Sequence, residues 1–117
     1  MSERIVDHSN NFTFNKIVSK ANIKGGDVIR FNYQKDVYNR RPLLLVMKSG
    51  GGEIQGFNLN YLKEYLVKKL LQEWDSGSRD FKNYSMFKKA YRTYKTNKIG
   101  IVKIGEYQRG EGKRFEN

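Results

Sequence analysis

The sequence predicts an α+β fold: a small curved antiparallel sheet or partial β-barrel, with two helices and a closing C-terminal strand. Three observations predict it. Before residue 60, apolar residues alternate or run together in short stretches, at "DVIRFNYQ", "PLLLVMKS" and "EIQGFNL". They then recur at three and four residues in "NYLKEYLVKKLLQEW" and "FKNYSMFKKAYRTYK", the spacing of helices. A last short apolar run, "IGIVKIG", follows the helices. Strands and helices are grouped rather than alternating, which argues against a parallel doubly wound sheet.

At 117 residues the chain suits one domain, 1–117. Residues 1–19 are polar and read as an N-terminal arm with room for one short element, and His8 as an exposed side chain. Residues 26–59 form the hairpin or barrel part. Val28, Ile29, Phe31 and Tyr33 alternate with Arg30 and Asn32 as in a strand. Pro42 opens a buried strand over "LLLVMKS", Gly50, Gly51 and Gly52 supply positive φ for a tight hairpin, and "EIQGFNL" returns. Residues 60–98 hold two helices. In the first, Leu62, Leu66 and Leu70 with Tyr65 and Trp74 make the apolar stripe, Asn58 or Asn60 caps the start and Gly77 marks the stop. The second spans 81–95. Residues 99–105 are the last strand, and 106–117 read as a mobile basic tail.

In "GFNLNYL", Gly56 permits a bend or a close backbone approach. Asn58 and Asn60 bond nearby backbone where strand becomes helix, and Leu59 and Leu62 anchor the corner.

Charge narrows the partner. The chain has 23 basic and 12 acidic residues, a net +11. Residues 1–77 hold 12 basic and 8 acidic side chains; residues 78–117 hold 11 and 4. A field of this sign attracts polyanions: nucleic acid, an anionic membrane surface, or an acidic protein. With no cysteine, disulfides and thiolate metal sites are excluded. The start "MSERIVDHSNNFTF" has no apolar core of a signal peptide. "PLLLVM", the longest apolar run, is far short of the roughly 20 residues that span a bilayer. No membrane role and no cofactor are expected.

On a helix over 81–95, Tyr84, Phe87, Tyr91 and Tyr94 fall on one narrow seam, which reads as core. Lys88, Arg92 and Lys95 share an adjacent face, with Lys82 and Lys89 further round. Unbalanced like charges on one helix repel, so this face is the expected phosphate contact, extended by Lys98 and by Arg109, Lys113 and Arg114 of the tail. Arg40, Arg41 and Lys48 form a secondary basic patch.

Three pieces, "GDVIRFNY", "RPLLLVMKSGGGEIQGFNLNYL" and "YRTYKTNKIGIVKI", resemble a small, poorly characterised protein group of contractile-tailed bacteriophages. The residues that carry the resemblance are Phe31, Tyr33, Pro42, Gly56, Asn58, Leu59, Tyr61, Leu62, Tyr91, Tyr94 and Lys95, across residues 26–104. The resemblance implies a virion- or DNA-associated role, in the host cytoplasm or the virion, and no catalytic residue.

Enzymatic readings are weak. One histidine cannot build a multi-His metal site. "SGGGEI" lacks the Gly-Lys-Ser/Thr ending of a phosphate loop. Asp36 with Glu53 and Gln55 is the nearest approach to a Mg²⁺-dependent nuclease, yet such enzymes place Lys where Gln55 stands. The expected function is therefore non-enzymatic: a phage accessory protein binding nucleic acid, DNA by preference, through non-specific backbone contacts. Its rival is a structural or interaction module of a virion or host-takeover complex that docks on an acidic protein.

Overall fold

A computed structural model describes residues 5–36, 39–78 and 85–107. The strands are β1 (Phe12–Val18), β2 (Val28–Arg30), β3 (Leu43–Gly50), β4 (Glu53–Asn58), β5 (Tyr91–Lys95) and β6 (Val102–Tyr107). Among the described residues two helices, α1 (Glu64–Asp75) and α2 (Ser85–Lys88), lie between β4 and β5. All strands join one antiparallel sheet in the order β1-β6-β2-β3-β4-β5. The fold is α+β as the sequence predicts. The sheet is open, with β1 and β5 as its edges, so it is not a barrel.

Both sheet faces are buried. On one, Leu43, Leu45, Phe57 and Val28 meet Leu66, Val67, Leu70 and Leu71 of α1. On the other, Ile29, Leu44, Val46, Ile54, Tyr94 and Val102 lie under Ile23, Phe31 and Ile99 from the connections. That is why β3 begins as a continuous apolar run: Leu43 to Val46 alternate between two cores, and all four are buried.

The β3–β4 hairpin turns on Gly51 and Gly52, whose φ angles of 62° and 80° suit a two-residue turn that follows the strand twist. Further along, the register slips between Val46 and Lys48. Opposite this bulge sits Gly56, where a Cβ would lie 2.1 Å from the Leu45 carbonyl oxygen. The close backbone approach predicted for Gly56 is therefore real.

Helix α1 starts at Glu64, four residues after the expected position. Asn58 instead caps a 3-10 turn, Leu59–Tyr61, by accepting from the Asn60 amide at 3.1 Å. With the start shifted, the buried stripe is Leu66, Val67, Leu70 and Leu71, and Tyr65 is 65% exposed. Tyr65 is thus not part of the core stripe.

Three other expectations change. Residues 12–18, read as part of a polar arm, form β1 and pair with β6. A register irregularity between Thr13 and Lys16 breaks the alternation that identifies a strand. The last strand runs two residues past Gly105, and Tyr107 packs edge-on against Phe12 with ring centroids 5.2 Å apart. Residues 106 and 107 are therefore sheet, not tail. Most consequential, the helix expected over 81–95 does not exist as such. Residues 85–88 are one helical turn, and Tyr91–Lys95 is an edge strand beside β4. Tyr84 lies outside the described residues.

Replacing Gly56 with Ala puts a methyl into the β3 backbone. The expected loss is about 3 kcal/mol, the upper end for overpacking, read from urea midpoints. A loss below about 0.5 kcal/mol, the size of an ordinary surface change, contradicts the close approach.

Candidate functional site

The polar centre of the molecule lies where β4 ends. Asn58 is fully buried. Its Nδ2 donates to Asn39 Oδ1 at 2.8 Å and to the Tyr94 hydroxyl at 3.1 Å, and its backbone amide donates to the Ala90 carbonyl. Asn60, also buried, accepts from the His8 amide through Oδ1 and from the Val6 amide through its carbonyl. His8 Nε2 lies 2.6 Å from the Leu62 carbonyl oxygen. His8 is 3% exposed, so the expectation of an exposed side chain fails. It is a structural clasp between the start of the chain and the corner.

Beside this network, Tyr61 donates to Asp36 Oδ2 at 3.0 Å, and the Arg92 guanidinium carbon stands 4.3 Å from the Tyr61 ring centroid. Arg92 Nη1 also donates to the carbonyls of Lys89 and Tyr91. Arg92 thus closes the corner through cation–π and charge-assisted contacts. Burial raises Tyr61 above the usual phenol range, and its hydrogen bond to Asp36 adds to the rise. Burial does the same to Tyr91 and most strongly to Tyr94, which the Asn58 hydrogen bond and Arg92 only partly offset.

The predicted basic face is dispersed. Lys88 and Lys89 are exposed at and just past the end of α2. Arg92 and Lys95, three apart on a strand, point to opposite faces, and Lys95 pairs with Glu53 across the strands. Lys98 is exposed in the short turn Thr96–Lys98. Arg40 and Arg41 are exposed before β3, and Lys48 lies near the far end of that strand. Seven residues of strand put about 23 Å between Arg41 and Lys48, so they are not one patch. Lys82, Arg109, Lys113 and Arg114 lie outside the described residues. The acids weighed for a nuclease are also apart: Asp36 sits by the Asn58 end of β4 and Glu53 at the other. Gln55 accepts from the Tyr91 hydroxyl. Among the described residues no group of three His, Cys, Asp or Glu side chains could hold a metal.

A different cluster does come together. Ile17, Lys103 and Arg30 are cross-strand partners in a row over β1, β6 and β2, so their side chains share a face. Arg41, Ile101 and Phe14 join them around a cavity of about 400 Å³. The Arg30 guanidinium carbon lies 5.9 Å from the Phe14 ring centroid. Its Nη2 reaches Asp7 Oδ2 at 3.5 Å, where Asp7 is largely exposed. Burial and the neighbouring charge of Arg41 lower the Arg30 guanidinium below its ordinary value, against the pull of Asp7. Sequence reasoning missed Arg30 and Lys103. The available signal was a lone cation inside each apolar strand, "VIRF" and "IVKI", but their meeting depends on the non-local β2–β6 pairing.

No protein-family model matches the chain, and no curated protein or solved structure gives a significant match.

Tyr94 governs the alkaline limit. Its folded pKa lies above the unfolded value of about 10, so below that pH it adds no pH dependence. Above it, the unfolded chain loses the proton first and stability falls as pH rises. Tyr94→Phe is expected to flatten that fall in denaturant titrations above pH 10. An unchanged slope contradicts a buried neutral phenol.

Proposed function

We propose that the protein is a non-enzymatic accessory protein, of bacteriophage type, that binds the phosphate backbone of nucleic acid without reading base sequence. The observation that supports this reading is a set of exposed cations that make no ion pair among the described residues, although Lys95 stands opposite Glu53 across the strands. Lys88, Lys89, Lys95, Lys98, Arg40, Arg41 and Lys48 are all exposed, and among the described residues none of them makes an ion pair. They are spread over the end of α2, β5, the turn after it, and both the entry and the far end of β3. Such a distribution suits an extended polyanion and gives no pocket for base edges. The tyrosines of β5 do not serve as a stacking platform, since Tyr94 is buried and Tyr91 packs on the α1 side of the sheet.

Arg92 belongs to the corner, so the test spares it. Lys88, Lys89, Lys95 and Lys98 are replaced together by Gln, and binding to duplex DNA is followed against salt. Each lost phosphate contact removes about 0.9 from the log–log slope, so the slope is expected to shrink by roughly 3 units. Affinity should fall alike for unrelated sequences. Absence of wild-type binding at about 50 mM salt, where backbone contacts are strong, contradicts the proposal and favours docking on an acidic protein.

A further inference from the structure

We infer that the cavity between Arg30, Arg41 and Lys103 is a binding site for a phosphate ester, with the phosphoryl group held by these three cations and the organic part against Ile17 and Ile101. This goes beyond the proposed backbone binding and stands whether or not the exposed lysines contact nucleic acid.

Cross-strand geometry carries the argument. Arg30 and Lys103 are direct partners across β2 and β6, and like charges so placed oppose the sheet. Arg41 brings a third positive charge to the same cavity. Among the described residues Asp7 is the acid that pairs with this group, at 3.5 Å and 61% exposed, too weak to balance it. The Arg30 Nε is buried with no hydrogen-bond acceptor among the described residues, so the guanidinium is not fully satisfied inside the protein. A guanidinium presents a planar fork that matches phosphate oxygens, and a second guanidinium and an ammonium complete a dianion's shell.

The walls point to an ester rather than bare phosphate. Ile17 and Ile101, 65% and 66% exposed, flank the cations and offer apolar surface that an inorganic ion cannot use. The volume, about 400 Å³, falls in the range of small-molecule sites. Phe14 is committed elsewhere: its ring covers Gly105, where a Cβ would come within 2.4 Å of it, and it lies beside Arg30.

The probe is adenosine 5′-monophosphate, compared with inorganic phosphate and adenosine at matched ionic strength. Calorimetry is expected to show saturable binding of the monophosphate, weaker binding of phosphate and none of adenosine. Arg41→Gln and Lys103→Gln should each weaken binding at least ~10-fold, as for a lost charge-assisted hydrogen bond. Lys103→Gln should also raise Tm in phosphate-free, low-salt buffer, because it removes the repulsion with Arg30. Equal binding by wild type and variants, or a lowered Tm for Lys103→Gln, overturns the site. Equal affinity for phosphate and the monophosphate overturns the ester assignment. Competition with an oligonucleotide lacking terminal phosphates separates two sources of the same chemistry: displacement assigns the ester to a nucleic-acid strand, its absence to a free ester. Loss of the monophosphate response with DNA binding intact removes this site alone.

Discussion

The buried side-chain amide of Asn58 is the constraint on which the rest of the structure depends. It stands at the end of β4 with no exposure, so each of its polar atoms requires a partner inside the protein. Those partners come from two distant segments, Asn39 before β3 and Tyr94 in β5, and from Asn60 two residues on. Its backbone amide takes the Ala90 carbonyl. Through Asn60 the same corner holds Val6 and His8. An unmet polar group there costs about 1–3 kcal/mol. The corner therefore fixes where the start of the chain, the connection before β3 and the edge strand must lie.

That constraint decides the electrostatics. With Tyr94 hydrogen-bonded to Asn58, the segment Tyr91–Lys95 must lie extended along β4. Extension sends Tyr91 and Tyr94 to opposite cores and separates Arg92 from Lys95. Arg92 becomes part of the scaffold, stacked on Tyr61, while the lysines around it stay in solvent. Positive charge is thus distributed at two levels. Exposed lysines are dispersed around β5, and a compact group, Arg30, Arg41 and Lys103, meets on β2, β6 and the entry to β3.

Local signals in the sequence were enough for the β3–β4 hairpin, for the body of α1 though not its start, and for the Gly56 corner, because each is encoded by neighbours. Two glycines make the turn, a three-and-four spacing makes the helix, and no other residue fits against Leu45. The basic segment was ambiguous because Tyr91 and Tyr94, three apart, satisfy a helical seam as well as a strand buried on both faces. Strand pairing with β4 settled it, and that pairing is non-local. β1 was hidden by its irregularity, which puts Phe12 and Phe14 out of step with Val18. The cation cluster was illegible for a related reason. Arg30 and Lys103 are far apart in sequence and adjacent only because β6 inserts between β1 and β2.

The central claim is that Asn58 holds the basic segment as a strand. Backbone NMR of the wild type and of Asn58→Ala tests it directly. The account predicts extended-strand chemical shifts across Tyr91–Lys95 in the wild type. In the variant it predicts amide exchange that accelerates there far more than in Val28–Arg30. Helical shifts over Tyr91–Lys95, or exchange in the variant that rises equally in both strands, would contradict it.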